Sequence, residues 1–188
     1  MKTSISSAGY IELSGKVVVS DPCYDRGVWC MATDIAVKPG KYATYIAKKN
    51  EKRFGIRVAV VMAVHLDYVN SIKNEWEPYG VCVGVDSGQC GIFDDTVYPA
   101  TKESGGEYDD ENSFYGECCK LTLSDSQGGI LKSRNGVVSS SGYGDGSYEL
   151  LCQRHEGECV ALMVDFDLEK YSTIMRELVK SQRNPQAM

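Results

Sequence analysis

Four aspartates stand where a run of strand-forming residues gives way to a loop: Asp21, Asp86, Asp94 and Asp145. Carboxylates so placed are oxygen ligands for hard cations such as Mg²⁺ or Ca²⁺, which activate water for hydrolysis. The same side chains also close turns by accepting backbone amides. Asp145 differs in its surroundings. It lies in Gly142-Tyr143-Gly144-Asp145-Gly146-Ser147-Tyr148, where glycines at alternate positions mark a tight, shaped loop whose backbone can approach a ligand closely. The spacing matches neither the dinucleotide fingerprint nor the phosphate loop.

Nucleophilic catalysis needs a tuned base beside Ser or Cys, and the chain holds only two histidines. His65 falls in the apolar run Val58–Leu66 and is expected in the core; His155 falls in a turn and is expected in solvent. A Cys–His pair would have to use Cys23 or Cys90. Eight cysteines are present, but none shows the two-residue spacing of a zinc knuckle, so Zn²⁺ fits less well than Mg²⁺ or Ca²⁺. The pairs Cys23/Cys30 and Cys152/Cys159 each enclose six residues.

Two functional readings follow. The first is a non-catalytic binding protein, with no cofactor, that recognises a small polar ligand or a protein through Tyr24, Gln89, Tyr143, Asp145 and Tyr148. Tyrosines among glycines and serines make adaptable contacts. The alternative is a metal-assisted hydrolase holding its cation with Asp21, Asp86, Asp94 and Asp145. The lack of a spaced histidine–carboxylate set favours the first.

Those loops must be held by strands. Lys16–Ser20, Lys41–Ala47, Ile56–Leu66, Tyr79–Val85 and Glu117–Leu123 read as strands, the third being apolar and continuous enough to sit centrally in a sheet. Asn135-Gly136 signals one hairpin, and His155-Glu156-Gly157 joins another from Tyr148–Gln153 to Val160–Asp165. Asp67–Trp76 fits either a helical turn or a loop. From Asp167, a plausible N-cap after Phe166, the residues Leu168, Tyr171, Met175, Leu178 and Gln182 share one helical face. The expected fold is α+β, with a predominantly antiparallel sandwich or strongly twisted sheet over 1–166, an amphipathic helix packed on it over 167–182, and a tail over 183–188.

Charge is segregated. Around the polar tip Lys48–Arg53, seven cations from Lys38 to Arg57 face Glu51 alone, whereas Asp86–Asn112 holds eight acids and one lysine, a balance of −7 against −6 for the whole chain. That pattern suits a basic protein surface or a second copy of the chain, and argues against general nucleic-acid binding. No apolar run of signal-peptide or membrane-spanning length is present, so the expected setting is cytoplasmic, away from membranes, with reduced thiols.

The corners Ser20-Asp21-Pro22-Cys23-Tyr24, Val85-Asp86-Ser87-Gly88-Gln89 with Asp94, and Gly142–Tyr148 together resemble an uncharacterised domain family of bacterial and phage genomes. The resemblance spans about Val17 to Phe166 and implies a β-rich fold without an established activity. It also suggests a context, a phage or bacterial host-interaction protein that blocks a defence component.

Overall fold

The computed structural model describes residues 3–169 and 171–183, with backbone alone at 102, 103, 171 and 180–183. Its strands are β1 (Thr3–Leu13), β2 (Lys16–Ser20), β3 (Ala32–Ala36), β4 (Gly40–Asn50), β5 (Ile56–His65), β6 (Glu77–Val85), β7 (Gln89–Asp94), β8 (Gly128–Ile130), β9 (Gly136–Ser140), β10 (Gly146–His155) and β11 (Glu158–Asp165). The helices are α1 (Lys102–Gly105), α2 (Phe114–Thr122) and α3 (Tyr171–Arg183). One sheet runs β1-β4-β5-β11-β10-β6 and the other β3-β2-β7-β9-β8, with every paired neighbour antiparallel.

Hydrophobic burial explains why the two sheets stack. Ile11, Tyr42, Val61, Leu150 and Leu162 of the larger sheet meet Val17, Val19, Ile92 and Val137 of the smaller in one buried cluster. The outer face of the larger sheet presents Tyr45, Val60, Met62 and Met163, which Ile174, Met175 and Leu178 of α3 cover. Val18, Phe93 and Val138 on the other outer face lie under Tyr98, Cys118 and Leu131. From Val58 onward both faces of β5 are therefore buried, which is why its apolar run shows no alternation. The α+β reading holds: this is an antiparallel sandwich with a C-terminal helix on one face.

Local chemistry sets the turns. Glu156 (φ 51°) and Gly157 (φ 85°) are both left-handed, making the two-residue primed turn that matches strand twist. The hairpin expected at Asn135-Gly136 forms, but its turn is Leu131–Arg134, closed by Arg134 N–H to Leu131 O at 2.8 Å. Asn135 is drawn into the ladder instead, its carbonyl accepting from Asp94 N–H at 2.7 Å.

Two expectations are corrected. Glu117–Leu123 is the end of α2 and its C-cap Leu123, not a strand: the Ser113 side chain caps the helix start by accepting the Gly116 amide at 3.0 Å, and Cys118, Cys119 and Thr122 form its buried face. Asp167 is not the cap of α3. Its φ is 57°, its amide donates to Asp165 Oδ1 at 2.9 Å, and the helix begins at Tyr171. Leu168, Met175 and Leu178 are buried as expected; the side chains of Tyr171 and Gln182, and the tail from 184, lie outside the described residues. Among the described residues no helix is long and apolar enough to cross a membrane.

Candidate functional site

Strand register brings the three corners together. Ser20 pairs with Gly91, Gln89 with Ser140 and Gly146 with Val85, so the end of β2, the start of β7, the end of β9 and the start of β10 all open at one end of the sandwich. Asp21 ties them. Its fully buried carboxylate accepts from Asp86 N–H (2.8 Å) and Ser87 N–H (2.6 Å) on one oxygen, and from Cys23 N–H (2.9 Å) and the Ser87 hydroxyl (2.6 Å) on the other. The glycine-rich loop is joined on by Ser141 N–H to Gly88 O at 3.0 Å. Inside that loop Gly142 is left-handed at φ 47°, and a Cβ there would lie 3.0 Å from the Phe166 Cβ.

The expected ligand face is only partly a face. Gln89 is buried, its amide donating to Ser87 Oγ (3.3 Å) and Cys119 Sγ (3.4 Å) and its Oε1 accepting from Thr122 at 3.0 Å. Tyr148 is also buried; its hydroxyl donates to Gly144 O at 2.7 Å and its ring stands edge-on to Phe166. These two brace the loop from within and are corrected from contact to supporting residues. Tyr24 is half-buried, and burial followed by its hydrogen bond with the Cys30 thiol raises its hydroxyl pKa. Tyr143 and Asp145 are exposed.

The four aspartates do not converge. Asp94 stands at the far end of β7, where Ser14 N–H, Thr96 N–H and the Thr96 hydroxyl donate to it. Burial would raise its carboxyl, and those hydrogen bonds outweigh burial and hold it low. Asp21 is saturated by its four donors, leaving Asp86 and Asp145 as the exposed members. Among the described residues no group of three or more His, Cys, Asp and Glu side chains is placed to hold a metal ion.

Sequence reasoning missed Phe54. The β4–β5 hairpin tip folds against the glycine-rich loop: Tyr143 Oη donates to Glu51 Oε2 at 2.8 Å, and the Phe54 and Tyr143 rings meet edge to face at 5.7 Å. The Arg53 guanidinium lies 4.8 Å from the Phe54 ring centroid. The one signal was a single aromatic in an otherwise polar tip.

The thiols are mostly shielded. Burial, then Asp21, pushes Cys23 up to about 12, and burial leads the upward shifts of Cys90 and Cys118. Neither Cys23 nor Cys90 is therefore an activated nucleophile. Cys82 is exposed on the edge strand β6. With iodoacetamide at pH 8, Cys82 is expected to label first, at least about tenfold faster than Cys90 or Cys118, as read by peptide mass spectrometry; equal rates would contradict the packing.

No family model matches the chain, and no curated protein or solved structure matches it at a significant level.

Proposed function

We propose that this chain is a non-catalytic binding protein that docks a protein partner on its loop end. The observation that carries this reading is the aromatic pair Tyr143 and Phe54, 55% and 50% exposed yet held edge to face at 5.7 Å. Glu51 and Arg53 fix the two rings in advance, so a partner meets large apolar surface that loses little side-chain entropy on binding. Ile56, 55% exposed, extends the patch, and exposed Asp145 adds a directional acceptor.

Charge points to the partner's sign. Lys52, Arg53 and Arg57 rim the rings, while Glu51 is already engaged by Lys49 at 3.0 Å and by Tyr143. The surplus is positive and suits an acidic surface. The basic partner expected from Asp86–Asn112 is less well served, because Asp94 is spent in its turn, Asp95 on Arg26 and Glu111 on Lys120. The small-ligand version needs Gln89 and Tyr148 to reach out of the core. The resemblance to a bacterial and phage family suggests a bacterial partner, with obstruction of a defence component as the biological version of this reading.

A photo-crosslinking residue at position 143, compared with one at Lys16 in living bacteria, tests it. The expected result is a discrete protein adduct from position 143 alone. No adduct from 143, or the same adducts from both positions, would overturn the reading.

A further inference from the structure

A concave surface lies at the other end of β10, ten residues and therefore about 30 Å from the glycine-rich loop. An open cleft of about 390 Å³ is lined by Asp67, Tyr68, Lys73, Gln153, Arg154 and His155, with Ile72 and Val160 as its apolar residues. A second hollow of about 210 Å³ shares Lys73, Gln153 and Arg154 and continues it toward Trp76. Its parts come from two separate stretches of the chain, 66–77 and 152–160, joined by one device. Gln153, almost fully buried, accepts from Lys73 N–H at 3.0 Å and donates to Lys73 O at 2.7 Å.

That pair of hydrogen bonds fixes the Lys73 backbone, so its exposed ammonium is presented from a rigid base. Arg154 is placed independently: its Nε bonds Glu77 at 3.1 Å and its guanidinium sits 5.0 Å from the Tyr79 ring centroid. The cleft is also aromatic. Tyr68 lies between the chain's two histidines, edge-on to His65 at 5.7 Å and tilted against His155 at 4.9 Å between ring centroids. Three acids share these walls: Glu77 bonds Arg154, Asp67 stands 3.8 Å from His65, and Glu75 lines the second hollow.

We propose that this cleft binds a small organic phosphate carrying a planar ring, the phosphate held by Lys73 and Arg154 and the ring laid against Tyr68 and His155. Guanidinium and ammonium groups are the usual partners of phosphate oxygens, and the volume accommodates a mononucleotide. The site is separate from the loop-end platform, so either proposal can fail without the other.

Isothermal titration of the full chain with AMP, adenosine and inorganic phosphate tests it. AMP is expected to bind with Kd below about 1 mM, and adenosine and phosphate each at least about tenfold more weakly. Lys73→Ala and Arg154→Ala are each expected to weaken AMP by about tenfold or more, with melting temperature unchanged in Lys73→Ala because that side chain is exposed, while Lys16→Ala leaves binding intact. Lys73→Glu provides a second variant in case Arg154→Ala disturbs β10. No AMP binding at about 5 mM, retention of AMP by the Lys73→Glu chain, or equal affinity for phosphate alone would overturn the proposal.

Discussion

Asp21→Ala is expected to lose on the order of 4 kcal/mol of folding stability, the largest effect of any single polar change at the loop end. Four donors converge on that carboxylate: the amides of Cys23, Asp86 and Ser87 and the Ser87 hydroxyl. Truncation leaves them without an acceptor in a place where Asp21 itself is fully buried, and each unmet buried donor costs roughly 1–3 kcal/mol. Water entering at the more open turn would recover part of that. Asp21→Asn keeps one carbonyl oxygen and should cost about half as much. Urea unfolding of the three proteins measures the series. A loss below about 1 kcal/mol for Asp21→Ala would mean that the corners hold together without it.

Gly91→Val is expected to be comparably severe, at about 3 kcal/mol or more, for a reason of volume. Gly91 sits in β7 between β2 and β9, and even a Cβ there would lie 2.3 Å from the Phe93 Cζ and 2.7 Å from the Val137 carbonyl oxygen. Phe93 cannot swing away, because Tyr98 and Phe114 stand 5.7 Å and 5.1 Å from its ring. The ring also covers Gly136, where a Cβ would meet it at 2.7 Å. Shortening the ring in Gly91→Ala/Phe93→Leu should relieve part of the clash, so the double variant should be more stable than the two single losses added together. Additive losses in thermal melts would show that the ring is not the obstacle.

These effects mark where the sequence was readable. Strands with a strong pattern, such as Lys16–Ser20 and Ile56–His65, declared themselves, because burial on one or both faces dictates residue type directly. The three corners were visible as strand ends, and antiparallel register then forced them to one end. Segment 117–123 was misread because Cys, Leu and Thr fit a short strand as readily as a helix. What decides the matter is Ser113, whose capping role depends on a turn at Glu107–Asp110 that no local pattern announces. Gln89 looked like a contact residue because its neighbours are polar, whereas Thr122 and Cys119 of α2 swallow its amide. Asp94 looked like a partner of Asp21 because both end a strand, but the two mark opposite ends of the β2–β7 pair. The cleft was illegible for a different reason: Lys73 and Gln153 lie eighty residues apart and meet only after β6 has paired with β10.

The central claim, that the loop end is a protein-docking platform built on Phe54 and Tyr143, is tested most directly by affinity. The protein captured at position 143 is purified and titrated against the wild-type chain and against Phe54→Ala, Tyr143→Ala and Lys16→Ala. Both aromatic truncations are expected to weaken binding by about tenfold or more, chiefly through faster dissociation, with unfolding midpoints unchanged and Lys16→Ala indistinguishable from wild type. Affinity within about twofold of wild type in both aromatic variants would contradict the account and place the docking surface elsewhere on the molecule.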